Sequence, residues 1–343
     1  MRFEIPKILL CVFFLVSLGS ACMENQTFAR QDEIGALFKK NEVTIVVTDS
    51  GLGGLSIVAD AAERLSDLKS FHSVRLVFFN ALFSEAGGYN SLRSRSDKIC
   101  VFDSALQSLE QRYDPDLILI GCNTLSVLFP DTEFSRESGV PVKGIVDTGV
   151  DMIAEGLREH PEARVIILGT QTTVEEGRHE HMLARKGFLP ERIFHQACPD
   201  LIPYIERGYD SDETGMLISA YADEALQGLP DPGAPVLVSL NCTHYGSSLD
   251  LWRKAFLEHG AQPVAFLDPN TRMLDFLFTA DTRGRFKDTR VSVEVISMVK
   301  IDGNRQESIG SFLQAVSPAT AAALTDYRWD PELFEWEAYV RRD

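Results

Sequence analysis

Short, unbroken, β-branched runs punctuate this chain and constrain its fold more than any other feature. Val43-Thr44-Ile45-Val46-Val47 is the first of them. Further apolar runs occupy 74–79, 117–120, 142–146, 165–168, 236–240, 263–267 and 291–299. A strand apolar on both faces belongs in the middle of a parallel sheet covered by helices on both sides. Helix-like segments lie between the runs, at 55–65, 94–112, 148–159, 173–186, 214–227 and 247–259. Strand alternating with helix predicts an α/β architecture, and the number of runs favours two doubly wound parallel sheets over one. The acidic stretch 330–336 reads as a solvated helix.

In open α/β sheets, ligands bind beyond the carboxyl ends of the strands. Four of those ends carry small, polar or nucleophilic groups. They are Thr48-Asp49-Ser50-Gly51-Leu52-Gly53-Gly54, Gly121-Cys122-Asn123-Thr124, Gly169-Thr170-Gln171-Thr172-Thr173 and Asn241-Cys242-Thr243-His244-Tyr245. The glycine-rich turn lacks the spacing of a dinucleotide or P-loop motif. Its backbone N–H groups are expected to approach a small carboxylate. Cys122 and Cys242 stand in matched strand–turn–helix contexts, each with a threonine within two residues. A thiol at a helix start or beside a cation titrates lower than usual, and His244 is placed to help move a proton at Cys242. Cys122, Cys242 and His244 as zinc ligands are the rival reading, but a Cys-Thr-His spacing is not a usual zinc pattern. Cys100 reads as a packing residue, and no proton-transfer partner is evident for Cys198.

Composition narrows the partners. Fifty acidic residues against 33 basic ones give a formal net charge of -17. Such a surface repels phosphate backbones, which excludes nucleic acid, and an anionic ligand would need local donors. At the N-terminus, Arg2 and Lys7 precede an apolar run over 8–18, then Gly19-Ser20-Ala21-Cys22. The run is too short for a membrane span and fits an export signal over 1–22. Cys22 is the residue a lipid anchor would use. Residues 23–42 read as a linker. The expected location is the cell envelope or periplasm, or the cytoplasm if translation starts at Met23.

Together, Asp49-Ser50-Gly51-Leu52-Gly53-Gly54-Leu55, Cys122-Asn123-Thr124, Gly169-Thr170 with Thr173, Ala197-Cys198-Pro199 leading to Glu206, and Cys242-Thr243-His244-Tyr245 resemble the aspartate/glutamate racemase superfamily. The Cys-Thr-His-Tyr element points to its glutamate branch. The resemblance runs from about Val43 to Phe312. It implies two α/β domains related by a pseudo-twofold axis, 43–144 with 267–343 and 145–266, with the active site in the cleft between them. It also implies racemisation of a small anionic amino acid, glutamate or aspartate, without a cofactor or metal. Cys122 would face the D enantiomer and Cys242 the L enantiomer. Asp49 and His244 would assist the thiols, and Glu206 would orient His244. Ser50, Asn123, Thr124, Thr170, Thr173, Thr243 and Tyr89 would hold the substrate. Relatives in the cytoplasm supply D-glutamate to cell-wall peptidoglycan, and a homodimer is compatible with the pattern. Three departures bear on specificity: Asn80-Ala81 in place of Asp-Thr, Gly88-Tyr89-Asn90 in place of Pro-Tyr-Gly, and Gly246 in place of proline. An exported amino-acid-binding protein without turnover is the non-enzymatic alternative.

Overall fold

A computed structural model describes residues 35–231, 233–278 and 283–340. The expected export signal, the anchor expected at Cys22 and most of the expected linker lie outside these residues. Among the described residues, ten strands form two sheets. The first has the order β10-β9-β2-β1-β3-β4, built from β1 (Glu42–Asp49), β2 (Ser73–Asn80), β3 (Leu117–Ile120), β4 (Val142–Gly144), β9 (Arg290–Ser297) and β10 (Arg328–Trp329). The second has the order β6-β5-β7-β8, from β5 (Arg164–Gly169), β6 (Ile193–Ala197), β7 (Val236–Asn241) and β8 (Ala265–Leu267). All pairings are parallel.

The apolar runs alternate between two cores, as parallel strands must. Ile45, Val47, Leu76 and Phe78 face one side of the first sheet; Val46, Val77 and Phe79 face the other. In the second sheet, Ile166, Leu168, Val238 and Leu240 oppose Val165, Ile167 and Leu237. The principal helices cover these faces: α1 (Leu55–Leu68), α2 (Arg95–Tyr113), α3 (Asn123–Leu128), α4 (Ile145–Glu159), α5 (Gln171–Glu175), α6 (Arg178–Arg185), α7 (Leu201–Arg207), α8 (Asp212–Gln227), α9 (Leu249–Glu258), α10 (Gly303–Val316) and α11 (Pro318–Thr325).

Register aligns the functional strand ends. Asp49 stands opposite Asn80 and Thr48 opposite Ile120, so the residues after β1 and β3 emerge side by side. Gly169 stands opposite Asn241 in the second sheet. The chain passes from the first sheet to the second at Gly144–Ile145 and leaves the second after Leu267.

Three expectations need correction. The apolar run at 142–146 is not one strand: it changes to helix at Ile145, because Gly144 ends β4 and starts α4. The helix expected over 173–186 is two, because Gly177 adopts φ +58 between α5 and α6. The 330–336 segment is not a solvated helix. Leu333 and Phe334 are buried, Phe334 packs on Phe79, and Trp336 lies 5.0 Å from Phe83. Arg112 holds this tail through Asp330 at 2.8 Å and the Glu332 carbonyl at 2.9 Å. Its apolar residues outweigh its acidic ones once α2 offers a surface. Among the described residues no helix is long and apolar enough to cross a membrane.

Candidate active site

Both cysteines stand just past strand ends of different sheets, Cys122 after β3 and Cys242 after β7, and both line one narrow cavity. Asp49, Ser50, Asn123, Thr124, Thr170, Thr243 and His244 line it with them. Its volume is about 10 Å³, space for about one ordered water. Of the other residues expected at the site, Glu206, Thr173 and Tyr89 stand one layer back. Asn241, which the sequence reading passed over, lines the cavity. Its signal was its place at the end of β7, directly before Cys242.

Each thiol has its own polar partners. The Cys122 sulfur lies 3.1 Å from Ser50 Oγ. Burial, then the charge of neighbouring Asp49, pushes the Cys122 thiol up. The lowered value expected of a thiol at a helix start does not apply to it, although Cys122 does occupy the cap position of α3. Burial raises the Asp49 carboxyl as well, against hydrogen bonds that include one from Thr243 Oγ1 at 2.8 Å. Cys242 does not begin a helix directly; a 3-10 turn, Tyr245–Ser248, precedes α9. Its sulfur lies 3.7 Å from His244 Nδ1.

Behind Cys242 runs a buried relay. His244 Nε2 is 2.9 Å from Glu206 Oε1. Burial opposes a charge on His244, but hydrogen bonds and charges from Cys242 and Glu206 overrule it and push the imidazole well up. Burial likewise opposes the Glu206 carboxylate, and His244, Arg305 and the Leu52 N–H hold it down. Leu52 N donates to Glu206 Oε1 at 3.1 Å, and Arg305 Nε lies 3.5 Å from Glu206 Oε2. The glycine-rich turn therefore does approach a carboxylate, but that carboxylate is Glu206 of the second sheet's domain. Glycine is needed because a Cβ on Gly53 would lie 2.5 Å from Thr243 Oγ1 and 2.8 Å from His244 N. Arg305 belongs to none of the motifs and reaches the site from α10.

Opposite the relay, Thr124 Oγ1 lies 2.7 Å from Thr170 Oγ1, which lies 3.0 Å from Thr173 Oγ1. Three hydroxyls from two domains thus converge. Asn123 is buried with neither Oδ1 nor Nδ2 partnered, and the Tyr89 hydroxyl is buried and unpartnered too. Such groups are costly unless a ligand or water completes them. Two of the three departures fall outside this wall. Asn80 Nδ2 donates to Ser297 Oγ at 3.0 Å and its Oδ1 accepts from Leu82 N at 3.0 Å. Gly246 faces Asp268, whose carboxylate occupies the space of a Cβ there. Both line a separate cavity of about 360 Å³ behind His244 and Glu206. No cluster of three or more His, Cys, Asp or Glu among the described residues is arranged to hold a metal ion.

No protein-family model matches the chain. Among curated proteins, a glutamate racemase of Syntrophus aciditrophicus is 30% identical over 203 residues, 59% of this chain and 67% of that protein. The glutamate racemase of Aquifex aeolicus is 26% identical over 201 residues, 59% of this chain and 70% of its own length. Among solved structures, glutamate racemase of Francisella tularensis in complex with D-glutamate matches with a TM-score of 0.59 at 20% identity. That match covers 81% of this chain and 95% of the other. A Bacillus anthracis glutamate racemase isoform matches at 0.60 and 17% identity, covering 81% and 96%. The structures establish the shared two-domain α/β fold. With the sequence relationship, they show that this chain belongs to the aspartate/glutamate racemase superfamily, as an isomerase akin to the glutamate racemases.

Proposed function

We propose that the protein interconverts L- and D-glutamate by moving protons between two thiols and the substrate α-carbon. The observation that carries this reading is the shared cavity: Cys122 and Cys242 reach it from different sheets, with Asp49 neighbouring Cys122 and His244 neighbouring Cys242. Glutamate is preferred over aspartate because the matched relatives are named glutamate racemases and the Francisella structure holds D-glutamate.

The charges around Cys122 and His244 support a direction for the reaction. Burial and Asp49 keep the Cys122 sulfur protonated, whereas His244 holds a proton beside Cys242. L-Glutamate would lose its α-proton to a Cys242 thiolate, and the carbanion would take a proton from the Cys122 thiol on the other face. The enzyme then carries a Cys122 thiolate and a Cys242 thiol, the state that accepts D-glutamate. Asn123, Thr124, Thr170 and Thr173 offer donors to a carboxylate gaining charge as the α-carbon is deprotonated. The closed cavity is smaller than glutamate, so entry requires the domains to part and catalysis requires them to close.

Incubation with L-glutamate in deuterium oxide tests the reading by NMR and chiral analysis. D-Glutamate should accumulate with deuterium at the α-carbon; absence of both products rejects it. Cys122→Ser and Cys242→Ser should each lower racemisation by about 10²–10⁴-fold, the usual contribution of a positioned acid or base. Near-normal rates in either variant would mean a one-thiol reaction.

A further inference from the structure

Outside the thiol cavity, the least expected buried charge is Lys98. It lies in the first turns of α2, only 8% exposed, where lysine is rarely found without a carboxylate partner. Its Nζ instead donates to Thr172 Oγ1 at 2.8 Å. Thr172 belongs to the other domain, in the same turn as Thr170 and Thr173. The backbone N–H of Thr172 is also held across the cleft, donating to Asn90 Oδ1 at 3.1 Å. Both polar ends of Thr172 are therefore fixed by the first-sheet domain. A few residues on, Arg95 Nε and Nη2 meet the two oxygens of Glu176 at 2.8 and 3.1 Å, but this pair is exposed and screened. Lys98 is the buried member of the seam.

We propose that Lys98 is a positioning residue for substrate: through Thr172 it sets the closed placement of the Thr170 and Thr173 hydroxyls. The role rests on the racemase reading above. Its chemistry answers a problem posed by composition. The protein carries a formal charge of -17, so an anionic substrate meets an unfavourable field that a buried ammonium opposes locally. Burial lowers the lysine pKa, and the carboxylates of Glu175 and Glu176 work against that effect, so the amine keeps charged neighbours on the helix it holds. A hydrogen bond from a charged donor is stronger and shorter than one between neutral groups, which suits a contact that must re-form with each closure.

Lys98→Met removes the charge and keeps most of the side-chain volume. It should raise KM for glutamate roughly tenfold, the loss of one charged hydrogen bond, with kcat changing by less than about threefold. Thr172→Val should do the same from the other side, and Lys98→Arg, which still donates, should recover much of the loss. Hydrogen exchange of the full-length protein gives a readout independent of turnover. The Thr172 and Thr173 amides should lose protection in Lys98→Met and Thr172→Val, and keep it in Lys98→Arg. Unchanged protection at both amides overturns the assignment, as does a KM within twofold of wild type in an active enzyme. If the wild type fails to turn over glutamate, the functional reading is at fault, and amide exchange alone decides the role of Lys98.

Discussion

Asp268 shows how a single residue can follow its burial more than its sequence. No motif marks it, yet burial pushes its carboxyl up to about 6, and the Asn270 N–H that it accepts at 3.0 Å only partly offsets this. A carboxyl whose folded value exceeds its unfolded value of 3.8 binds its proton more tightly in the folded state. Its favourable contribution is whole below pH 4 and is lost as pH rises through about 6. Asp268→Asn should therefore stabilise the protein by about 1–3 kcal/mol at pH 7.5 and by little at pH 4. Urea unfolding at the two pH values measures it; equal effects at both would remove ionisation as the cause. The thiols were legible because strand-end position, matched context and family motif coincided. Arg305 and Lys98 were not, because each reaches its partner from a helix remote in sequence, |i−j| of 74 for Lys98 and Thr172. At Gly246 the Asp268 carboxylate occupies the space a Cβ would need, a contact that no motif announces.

At the scale of elements, periodicity read the buried strands well because both of their faces are covered. It failed where length or pairing decides. The run at 142–146 is equally compatible with strand and helix, and a glycine switches it. β10, two residues long and exposed, exists only because β9 offers an edge. The tail after it has an acidic sequence but an aromatic attachment. Trp336 contacts Phe83, whose ring meets Tyr89 edge-on at 5.3 Å, and Tyr89 meets Phe102 at 6.3 Å. Phe334→Ala should cost about 3–5 kcal/mol, the loss expected for a buried aromatic ring, read from the urea midpoint. A cost below about 0.5 kcal/mol, typical of a surface change, would mean that the tail is not part of the core.

The molecule as a whole sets two opposing conditions: a strongly negative formal charge, and a cavity with hydroxyl and amide donors along one wall for an anion. Screening should therefore help catalysis. Raising sodium chloride from 10 to 200 mM shortens the Debye length from roughly 30 to 7 Å, and kcat/KM for glutamate should rise severalfold in initial-rate assays. A fall would show that local positive charge, not the overall field, governs encounter. The two-sheet plan was visible in the spacing of apolar runs, whereas the pairing order was not, since strands of similar composition compete for the same neighbours. That order has a consequence for how the chain comes to be folded. β2 pairs with β1 on one side and with β9 on the other, yet β9 follows β2 by about two hundred residues. During synthesis the entire second sheet is made before β9 appears. Until then the apolar edge over 74–79 stands open to other nascent chains, which makes it the segment where shielding by a chaperone matters most.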